Sequence, residues 1–538
     1  MLITILFLLI MIFFVNIHQG KKSLHMLQQN LYNENNRYGK WLIKNKNQFH
    51  NFAAVTVLLS LIGILVLYNI RLVSLICIWM ISILLMLQGL KLKREQKIEK
   101  SKKGLVVTPR IKRLMVTLII LFVIPLVLLG IYWNDLYKVW SIILTLCIMT
   151  YLNPIIVLIA MFINIPEEKY VYFYFKRKAQ KKLKLMNHLK VIGITGSYGK
   201  TSSKNILKTI LNYKYNALAT PKNLNTYYGL MMTINNYMDK FTDIFIAEMG
   251  AYTKGEIAGL CRFVKPQYGI LTTIGTAHLE TFGSEQNIID AKFELIESLP
   301  KTGFAILNKD DPKQVSYHLK NKVRVIWIGI DNTDADIVAR NIKCSYKGTS
   351  FDVKFSGEKE TYHFETKLLG KHNVYNILDG IACGKEFGIE IDDLIQAVRT
   401  VQPVEHRLEL KTIGNFNMID DAYNSNPTGA KRALEVLDMM PGEKVVVTPG
   451  MVELGEKEEE YNKEFGREIA SVADYVLLIG ENKTKPIKEG LLEKKFDKDR
   501  IIVFNDVREA YPYIGELAIH KDVYALFEND LPDMYNEK

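Results

Sequence analysis

Five apolar stretches punctuate the first third of the chain, at residues 2–17, 52–70, 72–90, 114–133 and 139–165. Most reach the ~20 residues that a helix needs to cross the hydrocarbon core of a bilayer. The pattern therefore predicts an α-helical membrane domain of about five spans over residues 1–165. The first stretch is short and has neither a basic leader nor a small-residue cleavage site, so it reads as an anchor and not as a removable signal. The last contains Asn153-Pro154, which kinks or splits a helix. Beyond residue 190 the period changes. Short β-rich apolar runs alternate with helical stretches to about residue 401, and the alternation resumes from residue 402. Such alternation predicts α/β units with largely parallel sheets: a central domain at 191–401 and a smaller, Rossmann-like domain at 402–538. The second has no G-x-G-x-x-G, which argues against dinucleotide binding.

Charge divides at the same place. Residues 1–190 hold 26 Lys/Arg against 6 Asp/Glu, whereas the remainder holds 43 against 51. The overall formal charge of +12 thus belongs to the N-terminal third and gives no reason to expect a nucleic-acid partner. Residues 18–51 carry six Lys/Arg and residues 91–113 carry ten, while the alternate loops are nearly bare. Basic loops stay cytoplasmic, so the pattern predicts a multi-pass plasma-membrane protein with its N-terminus outside and everything after residue 165 in the cytoplasm. Residues 166–190 form a basic linker. Its aromatic run at 170–175 and its Lys176, Arg177, Lys178, Lys181, Lys182 and Lys184 suit either membrane lipids at the headgroup level or a solvated connection. Five scattered cysteines without a C-x-x-C fit a reducing compartment and no structural zinc. Spans this uniformly apolar lack the intramembrane charges of a transport path.

The chemistry is concentrated in V-I-G-I-T-G-S-Y-G-K-T-S-S-K at 191–204. An apolar strand, a glycine turn (Gly196, Ser197, Gly199), then Lys200, Thr201 and Ser202 opening a helix is an arrangement that cradles a nucleoside triphosphate. Glycines turn backbone N–H groups toward phosphate, the lysine reaches the β/γ-phosphates, and the threonine can hold Mg²⁺. One departure is plain: Ile194 stands where the usual spacing has glycine. Glu248 ends another strand-like run, where a magnesium ligand is expected beside a phosphate loop, although strand-end acids are common. His278 follows a further strand, and Lys292 sits in an amphipathic D-A-K-F-E-L-I. On their own these two read as a structural histidine and a solvated lysine.

Nine stretches together resemble the Mur ligase family of ATP-dependent amide-forming enzymes, and within it the branch that adds D-alanyl-D-alanine to a muramoyl tripeptide. They are G-I-T-G-S-Y-G-K-T-S (193–202), A-E-M-G-A (247–251), G-E-I-A (255–258), I-G-T-A-H-L-E-T-F-G-S (274–284), A-K-F-E (291–294), G-K-H-N-V-Y-N (370–376), H-R-L-E (406–409), D-D-A-Y-N-S-N-P (420–427) and G-M-V-E-L-G (450–455). The resemblance implies ATP and Mg²⁺, a substrate carboxylate activated as an acyl phosphate, and attack by an amine. It implies that Lys200 and Thr201 hold phosphates and metal. Glu248 and His278 resemble ligands of a second magnesium, and Lys292 resembles a lysine that CO₂ converts to an anionic carbamate. Asn373 and Asn376 match adenine contacts, Arg407 an arginine brought onto the γ-phosphate, and Asp421 and Asn424 nucleotide or hinge contacts.

Three departures qualify the likeness. Apolar spans replace the family's UDP-sugar-gripping domain, Asn225-Thr226 replaces a pair of asparagines, and F-E-N-D-L-P-D-M-Y (527–535) replaces a glycine- and lysine-containing loop near the incoming amine. The expected function is a ligase of cell-wall precursor synthesis. Its acid would be a small-molecule or lipid-linked muropeptide, its amine an amino acid or dipeptide, and wall-synthesis membrane proteins would be its partners. The alternatives are a membrane ligase making a poly-amino-acid and a non-catalytic ATP-binding scaffold.

Overall fold

The computed structural model describes residues 2–30, 32, 36–44, 51–62, 71–98, 104–132, 136–275, 279–422, 426–452 and 454–529. The chain divides into two compact units, Met1–Tyr174 and Phe175–Lys538.

The secondary structure described in the first unit is entirely helical. Three helices are long and apolar enough to cross a membrane: Ile3–Gln29, Leu75–Arg94 and Pro109–Ile131. Tyr137–Tyr151 and Asn153–Ile163 add a fourth if the pair, bent by 85°, is one span. Against the five apolar stretches, the described residues thus hold three helices of spanning length, or four with the bent pair. The 52–70 stretch contributes a 12-residue helix, Asn51–Ile62. At ~1.5 Å per residue it is too short to span, and residues 63–70 lie outside the described residues. The bend falls where Pro154 cannot donate a backbone hydrogen bond. There Asn153 Nδ2 donates to Asn16 Oδ1 at 2.9 Å and Ser23 Oγ donates to Asn153 Oδ1 at 3.3 Å, so the polar side chain at the break is partnered. The expected linker is mostly a helix, Ile165–Leu185, with Glu167 and Glu168 in its first turn and Lys182 and Lys184 in its last. That charge order opposes the helix dipole and stabilises both ends.

The second unit contains two sheets. The larger has the order β2-β3-β1-β4-β5-β6-β7-β8-β9. Its strands are β1 (Lys190–Thr195), β2 (Ala217–Ala219), β3 (Ile244–Glu248), β4 (Tyr268–Leu271), β5 (Phe304–Asn308), β6 (Arg324–Gly329), β7 (Ile337–Ser345), β8 (Gly348–Phe355) and β9 (Thr361–Thr366). All neighbours up to β7 pair in parallel, and β8 and β9 continue antiparallel. The smaller sheet has the order β10-β11-β15-β12-β13-β14. It is built from β10 (Glu409–Ile413), β11 (Phe416–Asp421), β12 (Glu443–Thr448), β13 (Tyr475–Ile479), β14 (Ile501–Phe504) and β15 (Val523–Glu528), of which β10 alone is antiparallel to its neighbour.

Helix Lys200–Leu211 buries Ile206, Leu207, Ile210 and Leu211 against the larger sheet. Its other neighbour is helix His372–Glu386, brought close because position 380 has no side chain. A Cβ at Gly380 would sit 2.4 Å from Ile210 Cδ1. Gly380→Val should therefore cost about 1–3 kcal/mol by overpacking, read as a melting temperature several degrees lower in scanning calorimetry of the full chain. An unchanged melting temperature would mean that the two helices do not rely on this approach.

Candidate functional site

β1 lies between β3 and β4, in register Ile194↔Glu248 and Thr195↔Leu271, so the three parallel strands end together. Ligands of α/β sheets bind at such carboxyl ends. The chain leaves β1 through Gly196 (φ 149°) and Gly199 (φ 82°), both in the region that glycine alone enters freely. Space imposes the same choice, because a Cβ at Gly196 would lie 2.0 Å from Thr272 Oγ1. The loop is pinned to the end of β4: Ser197 N donates to Thr273 O at 2.7 Å, and Thr272 Oγ1 donates to Tyr198 O at 2.6 Å.

Lys200 opens the helix and folds back over the loop, donating to Gly196 O at 2.6 Å and Ser197 O at 3.0 Å. Burial pulls its pKa down to about 8, with Glu248 opposing the fall and Arg407 adding to it. Ser202 is half-buried in the same turn. Glu248 closes β3 with 1% of its side chain exposed. Thr201 Oγ1 lies 3.3 and 3.2 Å from its two oxygens, and Asn225 Nδ2 donates to Oε1 at 3.1 Å. Lys204 Nζ, as buried as Glu248 itself, donates to Oε2 at 2.8 Å.

Lys292 comes from helix Glu285–Glu297, which Ser284 caps by accepting from Asn287 N at 3.2 Å. It is not the solvated lysine that its helix pattern suggests. It is buried, with its ammonium 5.4 Å from the centre of the Phe282 ring. Burial lowers its pKa to about 7; the charge of Lys200 adds to this, and Glu256 and Glu294 oppose it. A cleft of about 60 Å³ is lined by Gly196, Ser197, Lys200, Asn225, Gly250, Ala251, Tyr252 and Lys292. Phosphate loop and Lys292 thus face one space, although 92 positions separate Lys200 from Lys292 in the chain.

Asn373 and Asn376 are adjacent on helix His372–Glu386: Asn376 Nδ2 donates to Asn373 Oδ1 at 3.2 Å, and Asn373 Nδ2 to Leu369 O at 2.9 Å. Asn376 lies against the phosphate loop, 3.1 Å from where a Cβ on Gly199 would be. Ser203 Oγ donates to Asp379 Oδ2 at 2.9 Å and ties this helix to the loop's own helix. Burial raises Asp379 to about 8.

Arg407 lies between His406 (φ 61°) and Leu408 (φ 46°), two left-handed non-glycine residues. Such positions cost about 1–3 kcal/mol each and persist where surroundings over-determine them. Here His406 Nδ1 is 2.7 Å from Asp420 Oδ2, and Leu408 N donates to Asp421 Oδ1 at 3.3 Å. Asp421 is pushed up to about 6 by burial, against the opposing effects of Arg407, the Leu408 N–H and Glu528. His278 and Asn424 lie outside the described residues.

Two hard oxygen donors, the Thr201 hydroxyl and the Glu248 carboxylate, therefore meet beside a phosphate loop. Magnesium commonly takes one or two protein oxygens and completes its shell with phosphate and water, so this donor set fits it. Among the described residues no three His, Cys, Asp or Glu side chains gather into a metal cluster. Lys204 and Asn225 are the groups that sequence reasoning did not assign to the site. The available signal was position: Lys204 follows Lys200 by four residues and shares its helix face.

Comparison with known proteins agrees with this geometry. Residues 194–384 match the Mur ligase middle domain and residues 406–527 the Mur ligase glutamate ligase domain. The UDP-N-acetylmuramoyl-tripeptide–D-alanyl-D-alanine ligase of Bacillus subtilis is 34% identical over 339 residues, covering 62% of this chain and 72% of the relative. The Escherichia coli ligase of the same name is 32% identical over 297 residues, 54% of this chain and 65% of the relative. The crystal structure of the MurF ligase from Thermotoga maritima in complex with ADP superposes with a TM-score of 0.59 at 26% identity, over 67% of this chain and 80% of that one. On sequence and fold alike, the chain belongs to the Mur ligase family.

Proposed function

We propose that this protein is an ATP-dependent, ADP-forming ligase of peptidoglycan precursor synthesis that joins D-alanyl-D-alanine to a muramoyl tripeptide. The observation that carries the reading is the single cleft onto which the phosphate loop, Lys200 and Lys292 open, with Thr201 and Glu248 beside it. Mur ligases use ATP and Mg²⁺, which supply a phosphoryl group to activate the acid's carboxylate and positive charge to shield two anions from each other. The chain's own part is positioning and charge. The loop's backbone N–H groups and Lys200 hold phosphate, and Thr201 and Glu248, joined in this reading by His278, hold magnesium. Asn373 and Asn376 hold the base. Arg407, Asp421 and Asn424 act from the C-terminal domain, where closure excludes water from the activated carboxyl. With its pKa near 7, Lys292 is largely an uncharged amine at pH 8. It can add to CO₂ as a carbamate, releasing one proton and turning a neutral amine into an anionic support for the metal.

We also propose the location: the plasma membrane, with the catalytic unit in the cytoplasm. Positive charge supports five crossings. The basic loops 18–51 and 91–113 reach one side only if the 52–70 stretch crosses, and the catalytic unit joins them only if the bent pair crosses. A second reading of the acid is a lipid-linked muropeptide. It is favoured by the apolar helices described ahead of residue 194, where the family match begins.

The full chain in detergent should release phosphate from ATP when given D-alanyl-D-alanine and UDP-muramoyl-tripeptide or its lipid-linked counterpart. Lys200→Ala should lower that rate about 10²–10³-fold; normal turnover in that variant would remove the phosphate-loop assignment. Turnover with the lipid form alone would decide for the second reading, and silence with both would reject muropeptides as the acid. Lys292→Ala should be inactive and recover on addition of short carboxylic acids. Titration supplies an independent check. The Lys292 pKa is depressed on folding, so burying it costs most below pH 7, where both states are charged. The cost fades as pH rises from 7 toward 10.5. Lys292→Met should therefore raise the melting temperature at pH 6 and leave it nearly unchanged at pH 10; equal shifts at both pH values would contradict the burial assignment.

A further inference from the structure

Lys204 is among the largest fully buried side chains of the molecule. Lysine is almost never fully buried unless paired, and here the pairing is complete. Nζ donates to Glu248 Oε2 at 2.8 Å and to the carbonyl of Lys222, a residue held in the left-handed region at φ 48°. Oε1 of the same carboxylate receives Asn225 Nδ2 at 3.1 Å, and the Thr201 hydroxyl lies 3.3 and 3.2 Å from the two oxygens. Both oxygens of Glu248 are therefore engaged by protein donors, and one of those donors brings a full positive charge. One helical turn separates Lys200 from Lys204: Lys200 closes over the phosphate loop, while Lys204 faces the carboxylate.

A divalent cation arriving at Glu248 meets a carboxylate whose charge is already cancelled at hydrogen-bond distance. In a buried site that opposing charge outweighs anything a surface lysine could exert. The cation then needs a second source of negative charge, and the phosphates of a bound nucleotide supply it. We propose that Lys204 is a positioning residue that acts as a resident counter-ion. It holds Glu248 oriented in the metal-free protein and keeps divalent-cation affinity low until nucleotide phosphate is present, so that metal enters with the nucleotide and not before it. This rests on the nucleotide-site reading given above and adds an order of binding to it. A purely structural ion pair has the opposite signature, since its loss would loosen Glu248 and weaken metal binding.

The test is Mn²⁺ binding to the full chain in detergent, followed by calorimetry and by the electron paramagnetic resonance signal of free Mn²⁺, with and without ADP. In the unaltered protein, Mn²⁺ should bind weakly alone and at least tenfold more tightly with ADP. Lys204→Met should bind Mn²⁺ at least tenfold more tightly than the unaltered protein in the absence of nucleotide, and should show a Mn²⁺-dependent rise in melting temperature. Adding Glu248→Gln to that variant should abolish the gain. Lys204→Arg keeps the charge and should retain weak, nucleotide-dependent binding even if the methionine variant folds poorly. Unchanged or weaker Mn²⁺ binding by Lys204→Met overturns the proposal, as does an arginine variant that binds metal tightly without nucleotide. An unaltered protein that binds ADP normally but Mn²⁺ equally well with and without it also overturns the proposal while leaving the nucleotide site standing. Failure to bind ADP at all overturns both.

Discussion

A carboxylate buried at the end of an interior strand has to be satisfied from every side, and much of the catalytic unit is arranged around that need at Glu248. Leaving such a charge uncompensated costs several kcal/mol, so the surrounding elements are committed to it. The phosphate-loop helix supplies Thr201 and Lys204, and the 221–225 loop supplies Asn225. The strand end itself is fixed by the parallel pairing of β3 with β1. The same register pairs Glu248 with Ile194, two residues before the Gly196 turn over which Lys200 folds. The chemistry of the cleft is thus inherited from one hydrogen-bonding problem solved by three separate chain segments.

The C-terminal domain meets this frame through a short connection with backbone strain on both sides of Arg407. The strained residues are held by the paired acids Asp420 and Asp421 at the end of β11. Arg407, Lys200 and Lys292 are cations whose fields overlap, and burial keeps Lys200 and Lys292 well below the ordinary lysine pKa. Gathering so many basic groups in one place is unfavourable for folding. It is the arrangement expected of a site made to receive polyanions.

Local signals carried most of what the sequence disclosed. The glycine turn, Lys200 and Thr201 lie within a few residues of one another, and their meaning follows from strand, turn and helix in succession. The α/β alternation was likewise legible, including β11 to β15, because each buried parallel strand is a short apolar run. What could not be read was pairing across long separations. Lys204 meets Glu248 over 44 positions and Asp379 meets Ser203 over 176, and nothing in composition announces either contact. Lys292 looked solvated because its helix is amphipathic, yet it faces Phe282 and the cleft. Apolar length alone does not show where a helix breaks: Asn153-Pro154 divides one stretch, and the 52–70 stretch supplies a described helix of 12 residues.

The bond from Ser203 to Asp379, together with the close approach at Gly380, joins the phosphate-loop helix to the helix bearing Asn373 and Asn376. Two surfaces that would grip opposite ends of a nucleotide are therefore mounted on one stiff piece, like the jaws of a caliper set to a fixed opening. A caliper measures length without moving. Under the proposed roles, a base without phosphates, or phosphates without a base, would touch one jaw and miss the other. Recognition of the nucleotide as a whole would then come before domain closure, and closure would be left to test the acid and the amine.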